Sequence, residues 1–136
     1  MPAFSVTAAN VLHSSAATIF TGTAGATITQ GQPVYLDTVT STYKLANALN
    51  ANSATNCAGI AMVGCSNGQD IVICSRDPNF TPGFTIAAGN FVLVGNVAGA
   101  LQPVEDRTTG WYVCSLGVGI GNNRTNFYIT GSNTAM

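Results

Sequence analysis

The sequence predicts an all-β fold: a small β-barrel or β-sandwich of two pseudo-repeated halves with an extended N-terminal arm. Three observations predict it. Short runs rich in Val, Ile, Tyr, Phe and Thr recur along the 136 residues, and such side chains suit a pleated, half-buried surface. Clusters of Gly, Pro, Asn and Ser divide these runs at short intervals, the spacing of sandwiches and barrels. A Gly-x-Thr-Ile-x-x-Gly motif occurs twice. The length suits one domain.

In chain order, the first 17 residues are small, polar and weakly patterned, with Val6, Val11 and Leu12 as their main apolar side chains. They read as an extended arm rather than part of the core, with a frayed terminus as the alternative. Strands are expected at 18–21, 33–37, 43–46, 58–64, 71–74, 91–94, 111–119 and 126–130. Ser66-Asn67-Gly68-Gln69 has the chemistry of a type I′ turn and is expected to join 58–64 to 71–74 as a hairpin. Residues 47–56 are Ala-rich but hold four Asn, which favours a loop or one short helical turn. Asp77-Pro78-Asn79 reads as a turn. Gly117 and Gly119 interrupt a strand, which predicts a bulge or a close backbone approach. Residues 132–136 read as a loose tail, leaving 18–131 as the β-rich domain.

The repeated motif is Gly25-Ala26-Thr27-Ile28-Thr29-Gln30-Gly31 and Gly83-Phe84-Thr85-Ile86-Ala87-Ala88-Gly89, 58 residues apart. The same offset aligns Val34 with Val92, Val39 with Val97 and Gly59 with Gly117. One reading is a repeated unit in which a Thr-Ile strand end reaches a turn whose glycine takes positive φ. The other is shared composition. Two copies at this period are too few for a solenoid.

Charge is scarce. Five acids and four bases make 7 % of the chain, for a net charge of −1, against about 25 % charged residues in an ordinary soluble protein. The polar surface must come from uncharged groups such as the 17 Thr and 13 Asn. Four scattered bases cannot form the stripe that nucleic-acid binding requires. Coiled coils need flanking Glu and Lys, and disorder needs low hydrophobicity, whereas 46 % of these residues are hydrophobic. No stretch of about 20 apolar residues predicts a membrane span. A domain with so little charge tends to associate, which points to life inside an assembly; an enzyme subunit with an unusual surface is the alternative.

The opening Met1-Pro2-Ala3-Phe4 lacks the basic and apolar regions of a secretion signal. Cys57, Cys65, Cys74 and Cys114 are therefore expected as reduced thiols made in a bacterial cytoplasm, with two disulfides in a secreted domain as the alternative. No C-x-x-C pair occurs, and with a single histidine, His13, no metal site is expected. Catalytic groups are equally thin. Glu105 and Asp106 are adjacent and would face opposite ways on a strand. Gly117-Val118-Gly119-Ile120-Gly121 lacks the βαβ frame of a phosphate loop. No enzyme activity and no cofactor are expected.

A series of motifs now gains meaning from its order. Ile28-Thr29-Gln30-Gly31-Gln32-Pro33-Val34-Tyr35-Leu36-Asp37 precedes Tyr43-Lys44-Leu45-Ala46, Ala58-Gly59-Ile60-Ala61 and Gly68-Gln69. Gly89-Asn90-Phe91-Val92-Leu93-Val94 and Leu116-Gly117-Val118-Gly119 follow. Over residues 28–119 this series resembles the capsid decoration, or cement, proteins of tailed bacteriophages. The resemblance implies a β-rich domain on the exterior of an icosahedral head. It implies a homotrimer that clamps neighbouring major capsid protein subunits, without catalytic residues, nucleic acid or membrane. Residues 1–17 would then be the arm that reaches a neighbour, with Phe4, Val6, Val11, Leu12 and His13 as contact candidates. Phe4, Phe20, Phe80, Phe84, Trp111 and Phe127 are candidate core or interface anchors. Competing expectations are another virion component (head-fibre base, tail-tube subunit or receptor-binding module) and a small ligand-binding β-barrel.

Overall fold

The structure, a computed structural model, describes residues 6–7, 11–47, 57–84, 86, 88–89, 91–95, 99–103, 112–121 and 124–135; for 103, 112–114 and 128–135 only the backbone is described. The described residues form an all-β fold of ten strands in one curled antiparallel sheet, a half-barrel. They are β1 (Val11–Leu12), β2 (Thr18–Thr23), β3 (Pro33–Asp37), β4 (Thr42–Leu45) and β5 (Cys57–Ala61). Then come β6 (Asp70–Pro82), β7 (Phe91–Val94), β8 (Leu101–Pro103), β9 (Tyr112–Gly121) and β10 (Arg124–Ala135). The main order is β4-β3-β5-β6-β10-β9-β7-β8, and both β1 and β2 pair with β6. Ala24 bridges to Tyr43 in β4, which curls the sheet back on itself at that end.

Residues 58 apart hold the same register positions. Val34 faces Leu45 in β4 and Gly59 in β5. Val92 faces Pro103 in β8 and Gly117 in β9. A register shift follows Val34 in one set and Val92 in the other. Gly59 and Gly117, at φ +149° and +143°, both press their Cα against a neighbouring strand's carbonyl, that of Cys74 or Asn126. The close approach expected at Gly117 is therefore present, and Gly59 matches it.

Two apolar clusters fill the curl. One gathers Ala24, Ile28, Val34, Ala61, Cys65, Ile71 and Ile73, with Phe20 and Tyr43 against it. The larger includes Val11, Ile60, Phe80, Phe84, Ile86, Val92, Leu101, Leu116 and Phe127. Within it the Phe80 and Phe127 rings sit 5.1 Å apart, tilted, a favourable aromatic geometry. Phe20, Phe80, Phe84 and Phe127 are thus core anchors, whereas Phe4 and Trp111 lie outside the described residues.

Several expectations are corrected. The hairpin joining β5 to β6 forms, but Asn67 is not at positive φ, so the Ser66–Gln69 turn is not type I′. Gly68 alone takes positive φ, at +90°, and the Gln69 N–H donates to Ser66 O at 3.0 Å. That turn sits within a wider loop, because Cys65 bridges to Ile28 instead of continuing β5. Asp77-Pro78-Asn79 is not a turn; it lies inside β6. Between Asp77↔Phe127 and Phe80↔Thr125, β6 advances three residues while β10 advances two, and a bulge of this kind accommodates a proline. The tail is not loose over its described length: β10 runs to Ala135, which pairs with Tyr112. The expected loop at 47–56 lies outside the described residues except for Asn47, as do Glu105 and Asp106.

Candidate interaction site: the N-terminal segment and its glycine slot

The chain from Val11 to Thr23 runs antiparallel along the whole of β6, with Val11 opposite Pro82 and Thr23 opposite Asp70. A two-residue strand such as β1 cannot hold itself in place, and its neighbours show what does. The Thr7 N–H donates to Gly83 O at 2.9 Å. Gln30 Nε2 donates to Val11 O at 2.9 Å. The Ser14 N–H donates to Asp77 Oδ2 at 2.6 Å, and the Ser14 hydroxyl donates to Asp77 Oδ1 at 2.5 Å. Asp77 Oδ1 also accepts the Asn79 N–H at 2.9 Å. Asp77 is 0 % exposed, and a buried carboxylate is tolerable only when donors replace its water. Three donors converge here.

The apolar half of the grip is a slot between two glycines. Gly31 and Gly83, at φ +95° and +85°, end one copy of the repeated motif and begin the other. A Cβ on Gly31 would stand 2.8 Å from Val6 Cγ1 and 2.9 Å from Val11 Cγ2. One on Gly83 would stand 2.9 Å from Val11 Cγ2 and 2.8 Å from Thr7 O. The two valines can seat only because both positions lack a side chain. Beside the slot lies a cleft of about 230 Å³ bordered by Val6, Gln30, Gln32 and Leu101.

This arrangement divides the contact candidates. Val11 is 1 % exposed and belongs to the larger core cluster, and Val6 packs against it. These two are internal anchors, so the reading of residues 1–17 as an arm outside the core is corrected at Val6 and Val11. Burying two branched side chains stabilises the docked segment more than solvating it would. Leu12, at 58 %, and His13 remain exposed, with His13 Nδ1 3.0 Å from Ser14 O. Phe4 lies outside the described residues. Further exposed apolar side chains are Ile19, Val39, Phe91 and Ile120.

Charged chemistry elsewhere is local. Lys44 Nζ donates to Asp37 Oδ2 at 2.7 Å across the β3–β4 hairpin. That bond lowers the Asp37 pKa and raises that of Lys44. Among the described residues, no group of three or more His, Cys, Asp or Glu is placed to hold a metal ion. Cys57, Cys65 and Cys74 are not in disulfides; the Cys114 side chain is outside the description. Burial pushes the Cys65 thiol up and that of Cys74 to about 11. Half-buried Cys57 is expected to label faster in native protein than Cys74, which is buried with its thiolate disfavoured and labels only on unfolding. Mass analysis of alkylated peptides checks this; equal labelling rates for the two would contradict it.

Asp77, Gln30 and the paired glycines were hidden from sequence reasoning. Asp77 carried a turn signal, and the glycines were visible only as motif ends. No protein-family model matches the sequence, and no curated protein matches it.

Proposed function

We propose that this chain is a structural virion protein. It binds the outer surface of an icosahedral phage head as a homotrimer and cements contacts between major capsid protein subunits after synthesis in the host cytoplasm. The observation that carries this reading is the ordered motif series, which falls on β3, β4, β5, the entry to β6, β7 and β9. A nearly charge-free surface that exposes Leu12, Ile19, Val39, Phe91 and Ile120 supports it, because such a surface suits contact with other protein. The mechanism is mass action: a protein that binds the assembled shell but not its separated parts stabilises the shell. Many copies on a closed shell add their effects.

Contacts of this kind depend little on ion pairs, which salt screens within about 3 Å at 1 M. Attachment to expanded heads is therefore expected to persist in about 1 M NaCl, measured as protein retained on sedimented particles. Deleting residues 2–17 would remove Val6 and Val11 from the core, so it tests folding rather than attachment. Leu12→Asp is the cleaner variant, since it alters an exposed side chain. Release of the wild-type protein at high salt would count against the reading.

A further inference from the structure

Residues 58 apart in β3–β5 and β7–β9 hold the same register, so what covers one set can be compared with what covers the other. Gly31 and Gly89 are such a pair, at φ +95° and +86°. The Gly31 N–H donates to Ala61 O and the Gly89 N–H to Gly119 O, each at 2.8 Å. There the likeness ends. Gly31 is buried beneath Val6 and Val11, whereas Gly89 is exposed and no described atom lies within 4 Å of where its Cβ would stand. The neighbours repeat the contrast. Pro33 is buried, but its counterpart Phe91 is 46 % exposed; Met62 packs on the core, but its counterpart Ile120 is 49 % exposed. Ile60 is buried, but Val118 is only half-buried. Phe91 stands directly opposite Val118, so these two side chains share one face of the sheet, and Ile120 follows near the end of β9.

We propose that Gly89, Phe91, Val118 and Ile120 form a docking site for an extended, uncharged segment of a different protein. That segment sets valine-sized side chains over Gly89 as Val6 and Val11 are set over Gly31. The filled position defines the chemistry of the occupant: a β-type stretch that offers branched apolar side chains. The chain's own N-terminal segment does not fill both positions. It is committed at Gly31 and Gly83 by Thr7, Val11 and the Ser14–Asp77 bonds. With that segment committed, the proposed occupant is a segment of another protein, whether or not that protein is a capsid subunit.

The probe is a synthetic peptide with the sequence of residues 5–12, titrated into the full-length, nitrogen-15-labelled protein. Saturable shifts are expected at the amides of Gly89, Phe91, Gly119 and Ile120, with no loss of the Val11 signals. Phe91→Asp or Ile120→Asp should weaken binding about tenfold or more, the equivalent of one apolar side chain left unburied. Val39→Asp, at an exposed position in the β3–β4 loop, should not. Shifts confined to Gly31 and Gly83 would mean that the peptide only displaces the resident segment, and would overturn the proposal. So would the absence of saturable shifts up to about 1 mM peptide, a bound of roughly 4 kcal/mol. Self-association without peptide that Ile120→Asp abolishes would overturn it too, by making a second copy the occupant.

Discussion

Replacing Asp77 by alanine is expected to lower the unfolding free energy by about 3 kcal/mol. The carboxylate has no access to solvent, so its removal leaves no water to take over its bonds. The Ser14 and Asn79 N–H groups lose their acceptor, and a donor left unpaired where water cannot reach it costs about 1–3 kcal/mol. The Ser14 hydroxyl can turn elsewhere, which makes Ser14→Ala the milder change, at about 1 kcal/mol. Asp77→Asn should fall between the two, because its amide retains one acceptor oxygen but sets an NH₂ against a donor. Urea unfolding orders the three variants. Amide exchange supplies a second readout: Asp77→Ala should expose the Leu12 and Thr18 amides well before those of β9. If Asp77→Ala costs less than about 0.5 kcal/mol, the usual range of a plain surface change, the carboxylate is not what holds the N-terminal segment on β6.

Asp77 also shows where the sequence could be read and where it could not. β3 and β7 were legible to the residue, because each is a short β-branched or aromatic run entered from a motif ending in glycine. β6 was legible only over 71–74, where Ile, Val and Cys form an apolar run. Its continuation through Asp77-Pro78-Asn79 depends on Ser14 and β10, which are distant in sequence, and local chemistry argues for a turn instead. β1 and β8, with two and three residues, are too short for any periodicity to register. β10 continues past Thr130 through Gly131 and Ser132 because β9 offers a partner, not because those residues prefer a strand. The glycine slot failed to show for the same reason. Gly31 and Gly83 were conspicuous, yet the spacing along the chain says nothing of two motif ends meeting over Val11. What holds the N-terminal segment is tertiary; of its contact candidates, Leu12 and His13 are exposed.

The other large effect is expected at two glycines that never touch that segment. Gly59→Ala and Gly117→Ala should each cost about 4 kcal/mol or more, a large part of the 5–15 kcal/mol that holds a domain together. Two costs combine. Both residues take φ of +149° and +143°, a region essentially only glycine occupies, and another residue held there costs about 1–3 kcal/mol. In addition, the new methyl would land on a backbone carbonyl oxygen, that of Cys74 for Gly59 and that of Asn126 for Gly117. A side-chain neighbour can rotate away, but a carbonyl inside a sheet moves only if its strand moves, and here the strands are β6 and β10, which pair at the centre of the sheet. Gly68 and Gly121 carry a positive-φ cost without the clash. They too have positive φ, at +90° and +100°, but no described atom lies within 4 Å of a Cβ there. Gly68→Ala and Gly121→Ala should therefore lose only the conformational part. Thermal unfolding of the four variants separates the terms, since each 1 kcal/mol moves the midpoint by roughly 3–6 °C in a chain of this size. Equal losses in all four would mean that backbone conformation alone fixes these glycines. A loss at Gly59 without one at Gly117 would mean that the shared register does not carry a shared constraint, and the comparison of Gly31 with Gly89 would lose its footing as well.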